Sequence, residues 1–426
     1  MREIYYALNP WWENKEFECG VPRDKYLCML EPAFKRKQIE IILGGRRVGK
    51  TTILKQLVKM AFNKGFAPFE VFYLTLDHPR FSDCSILEHL KNFRKFHLHG
   101  RDKKILVFLD EIQENRYWEK ELKTVYDLEN VKFFCTGSTS YLLESQGGKL
   151  TGRQILTTVY PLDFNESLLF KQARLSLSEE YKYEKLVEDY LITGGYPESI
   201  LMPGKEYLQN LLDDVIARDI VKLFQIRKVY LLKDLLQLIS ASVGSRISYN
   251  KLANVLKISV DTIKEYVSCF ETTFMVKSVE KWSHSYNEKI YNAKKLYLLD
   301  TGIKTVLTGD EDFGAKAENV VFLHFLRNKI DCGYFAESER EVDFVIGGYK
   351  KYLPVEVKYQ SSIDWADRKF SGMKLFLKRY PKTSKALVIS KDKEAEFKEN
   401  GVVIKVMPLW KFLLSNPKEL LADLGV

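Results

Sequence analysis

The chain has 426 residues, too many for one hydrophobic core, and its composition (46% hydrophobic, 29% charged) is that of an ordinary globular protein. Lysine plus arginine (66) exceed aspartate plus glutamate (57), and the resulting +9 leans toward a polyanionic partner such as DNA without requiring one. Repeats, low-complexity tracts and apolar runs near the ~18 residues of a membrane span are missing, which argues against fibrous, disordered and membrane-spanning classes. Cys19, Cys28, Cys84, Cys135, Cys269 and Cys332 are scattered without paired spacing, and most sit in apolar runs; the expectation is buried free thiols in a reducing compartment. The first residues, Met1-Arg2-Glu3-Ile4-Tyr5, lack the apolar stretch of a signal peptide, so a cytoplasmic location is expected.

Residues 1–38 form a leading segment with Asn9-Pro10-Trp11-Trp12 and a basic cluster at Lys35-Arg36-Lys37. From there strands and helices alternate. Strands are predicted over 39–43, 69–76, 105–109, 132–135 and 154–160, with helices over 51–63 and 85–96. Uninterrupted apolar strands separated by helices imply a parallel sheet covered on both faces. Residues 162–240 read as mostly helical, broken by Gly194-Gly195-Tyr196-Pro197. Two short helices (249–256 and 259–270) and a strand (274–279) follow, a spacing that suits a winged helix-turn-helix. The last segment reads as a helix (315–328), three strands (333–336, 342–346, 352–359), a helix (365–378), a strand (386–389) and a terminal strand and helix. The predicted domains are therefore 1–161, 162–240, 241–310 and 311–426.

Residues 41–52 contain Gly44-x-x-x-x-Gly49-Lys50-Thr51 between a buried strand and a helix. Its glycines let backbone N–H groups turn onto phosphate oxygens, and the helix presents its positive end to the same anion. Gly44, Gly45, Arg46, Arg47, Val48, Gly49, Lys50, Thr51 and Thr52 are the candidate ATP-binding residues. Lys50 would bridge the β- and γ-phosphates and Thr51 would ligate Mg²⁺. Leu106-Val107-Phe108-Leu109-Asp110-Glu111 ends a buried strand in two acids. Asp110 is expected to hold Mg²⁺ through water and Glu111 to polarise the attacking water. Thr136 or Ser138, at the end of a third apolar strand, is placed to meet the γ-phosphate or the water. Arg153, before the fifth strand, is a candidate to stabilise the transferring phosphoryl group, in cis or from a neighbouring subunit of a homo-oligomer.

Arg46-Arg47-Val48-Gly49-Lys50-Thr51-Thr52, Asp110-Glu111-Ile112-Gln113, Thr136-Gly137-Ser138, Gly152-Arg153, Tyr160-Pro161-Leu162 and Gly194-Gly195-Tyr196-Pro197 occur in this order. Together they resemble the large prokaryotic, notably archaeal, family of AAA-type ATPases with an uncharacterised C-terminal domain of the PD-(D/E)xK nuclease type. The resemblance implies an α/β chain: a P-loop NTPase parallel sheet, a helical lid, a winged helix and a C-terminal nuclease-like domain.

The tail carries its own chemistry. In Glu341-Val342-Asp343-Phe344 and Pro354-Val355-Glu356-Val357-Lys358, charges interrupt two apolar strands, and alternation puts Glu356 and Lys358 on one face. A hairpin through Gly347-Gly348 would bring Asp343 beside Glu356, and Glu318 on the preceding helix would face them. Such a set suits metal-dependent phosphodiester hydrolysis: Asp343 and Glu356 on a second Mg²⁺ or Mn²⁺, Lys358 on the water, Glu318 completing the site. The expected recognition helix of the winged segment is poor in DNA-reading residues, with Lys264 set against Asp261 and Glu265. The expectation is an Mg-ATPase coupled to a nuclease-like domain acting on DNA. The alternative is an ATP-dependent switch whose C-terminal domain only binds a partner.

Overall fold

The computed structural model describes every residue except 82–83, 139–149, 174, 176–178, 203, 284, 349–350 and 426. The chain divides into two compact units, Met1–Tyr160 and Pro161–Val426. Among the described residues no helix is long and apolar enough to cross a membrane.

The first unit is built on five parallel strands: β1 (Ile39–Leu43), β2 (Val71–Thr75), β3 (Ile105–Asp110), β4 (Val131–Gly137) and β5 (Gln154–Thr158). Their order across the sheet is β2-β3-β4-β1-β5. β1, β3 and β4 are buried at every position, as largely apolar strands covered on both faces require, and the buried charges of β1 and β4, Glu40 and Lys132, pair with each other at 3.4 Å. β4 separates the strand that feeds the glycine loop from the strand that ends in Asp110. The edge strand β2 is closed by the leading segment: the Asn9 side chain donates to the Tyr73 carbonyl at 2.9 Å and accepts from the Tyr73 N–H at 2.7 Å. The Trp11 and Trp12 indoles donate to the Val71 carbonyl. An edge whose polar groups are satisfied in this way is closed to pairing with another chain.

The second unit opens with helices through residue 241, as the sequence predicts. The glycines of Gly194-Gly195-Tyr196-Pro197 have a packing reason. A Cβ on Gly195 would lie 2.1 Å from the Leu162 carbonyl oxygen, and one on Gly194 the same distance from Asp300 Oδ1. Asp300 is buried, accepts from Gly195 N–H at 2.6 Å, and caps the helix Thr301–Thr308 through Gly302 N–H at 2.8 Å. This motif is a structural joint.

Beyond it lies a small antiparallel sheet of β6 (Arg246–Ile247), β7 (Val276–Val279) and β8 (Lys294–Leu298), in the order β6-β8-β7, with helices Tyr249–Leu256 and Val260–Thr272 between β6 and β7. The helix Phe313–Arg327 leads to a six-stranded mixed sheet: β9 (Cys332–Glu337), β10 (Arg340–Gly347), β11 (Tyr352–Lys358), β12 (Lys385–Ser390), β13 (Ala395–Glu399) and β14 (Val402–Pro408). Its order is β13-β14-β12-β11-β10-β9. One face packs on the helix Ser371–Arg379 through Val342, Val345, Met373, Phe376 and Val388.

Three expectations need correction. Strand β8 and the helix Thr301–Thr308 occupy a stretch that the sequence left without elements. The helix predicted from 365 begins at Ser371, because the residues before it form a short 3₁₀ turn, Arg368–Phe370, whose start is capped by the Asp367 side chain accepting from the Lys369 N–H. Only Cys135 and Cys269 are buried; Cys19, Cys84 and Cys332 are half-buried and Cys28 is exposed.

Candidate functional site

The glycine loop leaves β1 and enters the helix Lys50–Asn63 at Gly49, whose φ of 93° is open to glycine and strained for other residues. A Cβ on Gly44 would lie 2.3 Å from the Val159 carbonyl oxygen, so the loop's first residue is pressed against the exit of β5. Gly45 and Val48 are buried, Arg46 and Thr52 are half-buried, and Arg47 is exposed with a positive φ of 64°. Lys50 is buried and its ammonium folds back on the Gly44 and Gly45 carbonyls at 3.0 and 2.8 Å. Arg23, from the leading segment, braces the loop from behind: its guanidinium donates to the Val48 carbonyl at 2.8 Å and the Tyr160 carbonyl at 3.1 Å. No local pattern marks Arg23, because its partners lie far along the chain.

Asp110, at the end of β3, is met by three hydroxyls. Thr51 Oγ1 donates to Oδ2 at 2.8 Å, Tyr73 Oη donates to the same oxygen at 3.0 Å, and Thr136 Oγ1 donates to Oδ1. Burial, and then the charge of Asp110, raises the Tyr73 phenol well above its ordinary value, so it remains a donor. Glu111 stands in the left-handed region (φ 54°), its N–H given to Thr136 Oγ1 at 3.0 Å. The Gln113 amide donates to the Glu111 carboxylate and also to Ser138 Oγ at 3.0 Å. Glu111, Thr136 and Ser138 are thus brought together, with Gln113 and Tyr73 as members that the sequence reading missed.

Arg153 does not join them. The Ile39 N–H donates to the Arg153 carbonyl at 2.8 Å, which puts Arg153 at the start of β1 and β5, while the glycine loop lies at their far end. Five strand residues separate the two by about 16 Å. Its guanidinium pairs with Asp127 at 3.1 Å and lies over the Tyr126 ring. Of the two roles expected of Arg153, in cis or from a neighbouring subunit, this placement does not serve the first.

In the second unit the hairpin of β10 and β11 forms with Phe344 opposite Val355. A register shift against β9 falls between Val342 and Val345, the stretch that carries Asp343. Asp343 Oδ2 accepts from Val357 N–H at 2.9 Å, and Glu356 accepts from Lys358. Lys358 Nζ also lies 4.0 Å from Asp343. The expected set converges, but a further residue sits in it. Lys295 of β8, fully buried, places its ammonium 2.9 Å from Glu318, 2.6 Å from Glu341 and 3.2 Å from Asp343. Tyr297, on the same face of β8, donates to Glu318 at 2.6 Å. Arg246, paired with Lys295 across the strands, meets Glu341 at 2.9 Å.

Residues 36–168 match the family profile described as an AAA domain. The first unit carries an AAA-type P-loop ATPase domain. Two further profiles, both described as domains of unknown function (DUF8612 and DUF4143), match residues 184–313 and 313–412. An uncharacterised protein of Methanocaldococcus jannaschii is 29% identical over 402 residues, covering 89% of this chain and 88% of its own. An uncharacterised protein of Haemophilus influenzae is 24% identical over 351 residues, covering 80% and 87%. Among solved structures, the Thermotoga maritima RuvB Holliday junction branch migration motor aligns at 14% identity over 60% of this chain and 89% of its own, with a TM-score of 0.31. That superposition is too loose to add to what the loop geometry shows.

The two centres differ in what a metal would meet. In the ATPase domain, Thr51 and Asp110 are two oxygen ligands 2.8 Å apart at the start of a helix, and their other partners are neutral hydroxyls; they fit Mg²⁺. The ion would neutralise phosphate charge there. In the second unit the oxygens are committed to cations. Among the described residues, no group of three or more acidic, histidine or cysteine side chains is arranged to hold a metal ion. Burial raises Glu356 to about 8, helped by the charge of Asp343 and opposed by Lys358. Burial and Asp343 likewise raise Glu318 to about 7. Burial also works on Asp343, but Lys295 and Lys358 outweigh it and keep this carboxyl below its ordinary value. As arranged, this centre does not fit a divalent ion.

Proposed function

We propose that this chain hydrolyses Mg-ATP in its first unit and couples turnover to a second unit that engages DNA. The observation that carries the first half is the meeting of Thr51 and Asp110 at the end of the glycine loop, with Glu111 held beside them. In this reading Lys50 leaves the Gly44 and Gly45 carbonyls for the β- and γ-phosphates. Thr51 and Asp110 hold the metal, and Glu111 orients and polarises water for in-line attack. Thr136 keeps Asp110 and Glu111 in register, and Ser138 offers a hydroxyl near the γ-phosphate. A role for Arg153 would then require a neighbouring subunit.

For the second unit, the net charge of +9 and the hairpin that joins Asp343, Glu356 and Lys358 support a nuclease-like domain acting on DNA. The helices Tyr249–Leu256 and Val260–Thr272 with their small sheet support the winged-helix reading, in a packing role. Cleavage by this domain would need a metal at Asp343 and Glu356. The ammonium of Lys295 among the carboxylates favours the second reading, a domain that binds without cutting. One experiment tests both halves: ATP turnover with and without single-stranded, duplex and branched DNA, with cleavage scored in the same tubes. Turnover that responds to DNA without strand scission is expected. Turnover indifferent to every DNA form would remove DNA as the partner, and scission lost in Asp343→Ala would restore the nuclease.

A further inference from the structure

We propose that Lys295 is the resident cation of the second centre, standing where a divalent ion would otherwise be bound, and that removing its charge unmasks a site for Mn²⁺ or Mg²⁺. An ammonium has three N–H donors, and the three carboxylates within reach, at 2.9, 2.6 and 3.2 Å, belong to Glu318, Glu341 and Asp343. None of the side chain is exposed. A lysine is kept in such a position only when every charge around it is answered.

The placement is built into the strand. Alternation along β8 sends Lys294 outward to Glu280 at 3.0 Å, while Lys295 and Tyr297 point inward, both onto Glu318. Asn319, next to Glu318, clamps its helix to β8 by bonding both the N–H and the carbonyl of Leu298. Gly244 leaves room for the Glu318 carboxylate, which a Cβ there would approach to 2.7 Å. The amine and the acids come from segments on opposite sides of residue 313, where the two profiles of unknown function meet. The centre is therefore complete only when both segments are present.

A divalent ion beside Asp343 would lie within a few ångströms of two ammoniums, Lys295 and Lys358, and like charges at that distance repel strongly in a buried setting. Uptake of metal therefore requires Lys295 to lose its charge or leave. The inference concerns the metal alone and stands whether or not DNA is the partner.

The test is Mn²⁺ titration of the full, nucleotide-free chain, followed by electron paramagnetic resonance and by melting temperature. Wild type and Asp343→Asn should take up the same Mn²⁺. Lys295→Met should gain one ion per chain, with a melting temperature that rises on Mn²⁺ addition, and Lys295→Met with Asp343→Asn should lose both gains. Should Lys295→Met fold too poorly to titrate, Lys295→Gln keeps hydrogen bonding without the charge and is read the same way. Asp343-dependent Mn²⁺ uptake by wild type, or no gain in the folded Lys295 variant, would overturn the proposal.

Discussion

Asp110, at the end of β3, and Asp343, within the buried stretch of β10, are both buried strand carboxylates, yet one is met by hydroxyls and the other by ammoniums. Thr51, Tyr73 and Thr136 hold Asp110 in place through hydroxyls that carry no charge of their own. Lys295 and Lys358 answer the charge of Asp343 outright. A carboxylate oriented by neutral donors is ready for an incoming cation. One already paired with buried cations has to lose a partner first. The same residue type on a buried strand can thus be a ligand in waiting or a finished ion pair, and the neighbours decide which.

The comparison breaks most visibly at Lys50. Lys50→Ala should lower ATP turnover by roughly three orders of magnitude, since the loop offers the phosphates no other buried ammonium. A phosphate-release assay at saturating ATP checks this, and wild-type rates would end the assignment of the first centre. Glu111→Gln should cut turnover by about 10²–10⁴-fold while ATP still binds, because an amide cannot polarise water. Equilibrium binding of a fluorescent ATP analogue alongside turnover separates the two effects.

The second centre should reveal itself in the pH dependence of stability. Glu318 and Glu356 are raised in the folded chain to about 7 and about 8, so they hold protons that the unfolded chain releases. Their contribution is complete below the ordinary carboxyl range and fades as pH rises through 7 to 8. The melting transition of the second unit should therefore fall by on the order of several degrees between pH 5.5 and 8.5. A Glu356→Gln chain should flatten that slope in calorimetry, and an unchanged slope would mean that Glu356 is already ionised at neutral pH. The smallest effect is expected at Tyr73. Tyr73→Phe removes one neutral hydrogen bond to Asp110, worth about 1 kcal/mol, and should raise the Mg²⁺ concentration for half-maximal turnover about fivefold. No change would show that Thr51 and Thr136 suffice.

Legibility in the sequence followed the distance between partners. The glycine loop and the Asp110-Glu111 strand end are each contiguous in the chain, so both candidates could be picked out from adjacent residues, and the strands around them fell within a few positions of expectation. The hairpin carrying Asp343, Glu356 and Lys358 was legible for the same reason. Tyr73, Arg23 and Lys295 were not, because each meets its partners only after distant segments pack together. Lys294-Lys295 looks like a solvated pair; only the alternation of β8 shows that one faces Glu280 and the other the interior. A lysine and a tyrosine two residues apart, alternating with the buried Leu296 and Leu298, were the available signal. The place of Arg153 was not legible either, because a motif gives spacing along the chain and says nothing of which end of a sheet it occupies; at the far end of β1 and β5 from the loop, it leaves only the neighbouring-subunit half of its expectation open.

The contact between Gly44 and the Val159 carbonyl has a consequence for how this protein is made. The nucleotide loop is finished by a strand that leaves the ribosome long after the loop itself, since β5 must pair with β1 before residue 159 can press on residue 44. A nascent chain that has emerged only through the acidic strand end has both motifs and still lacks the wall that shapes the loop. The loop can therefore take its final shape, and a nucleotide bound there can add stability, only once the whole first unit has cleared the exit tunnel.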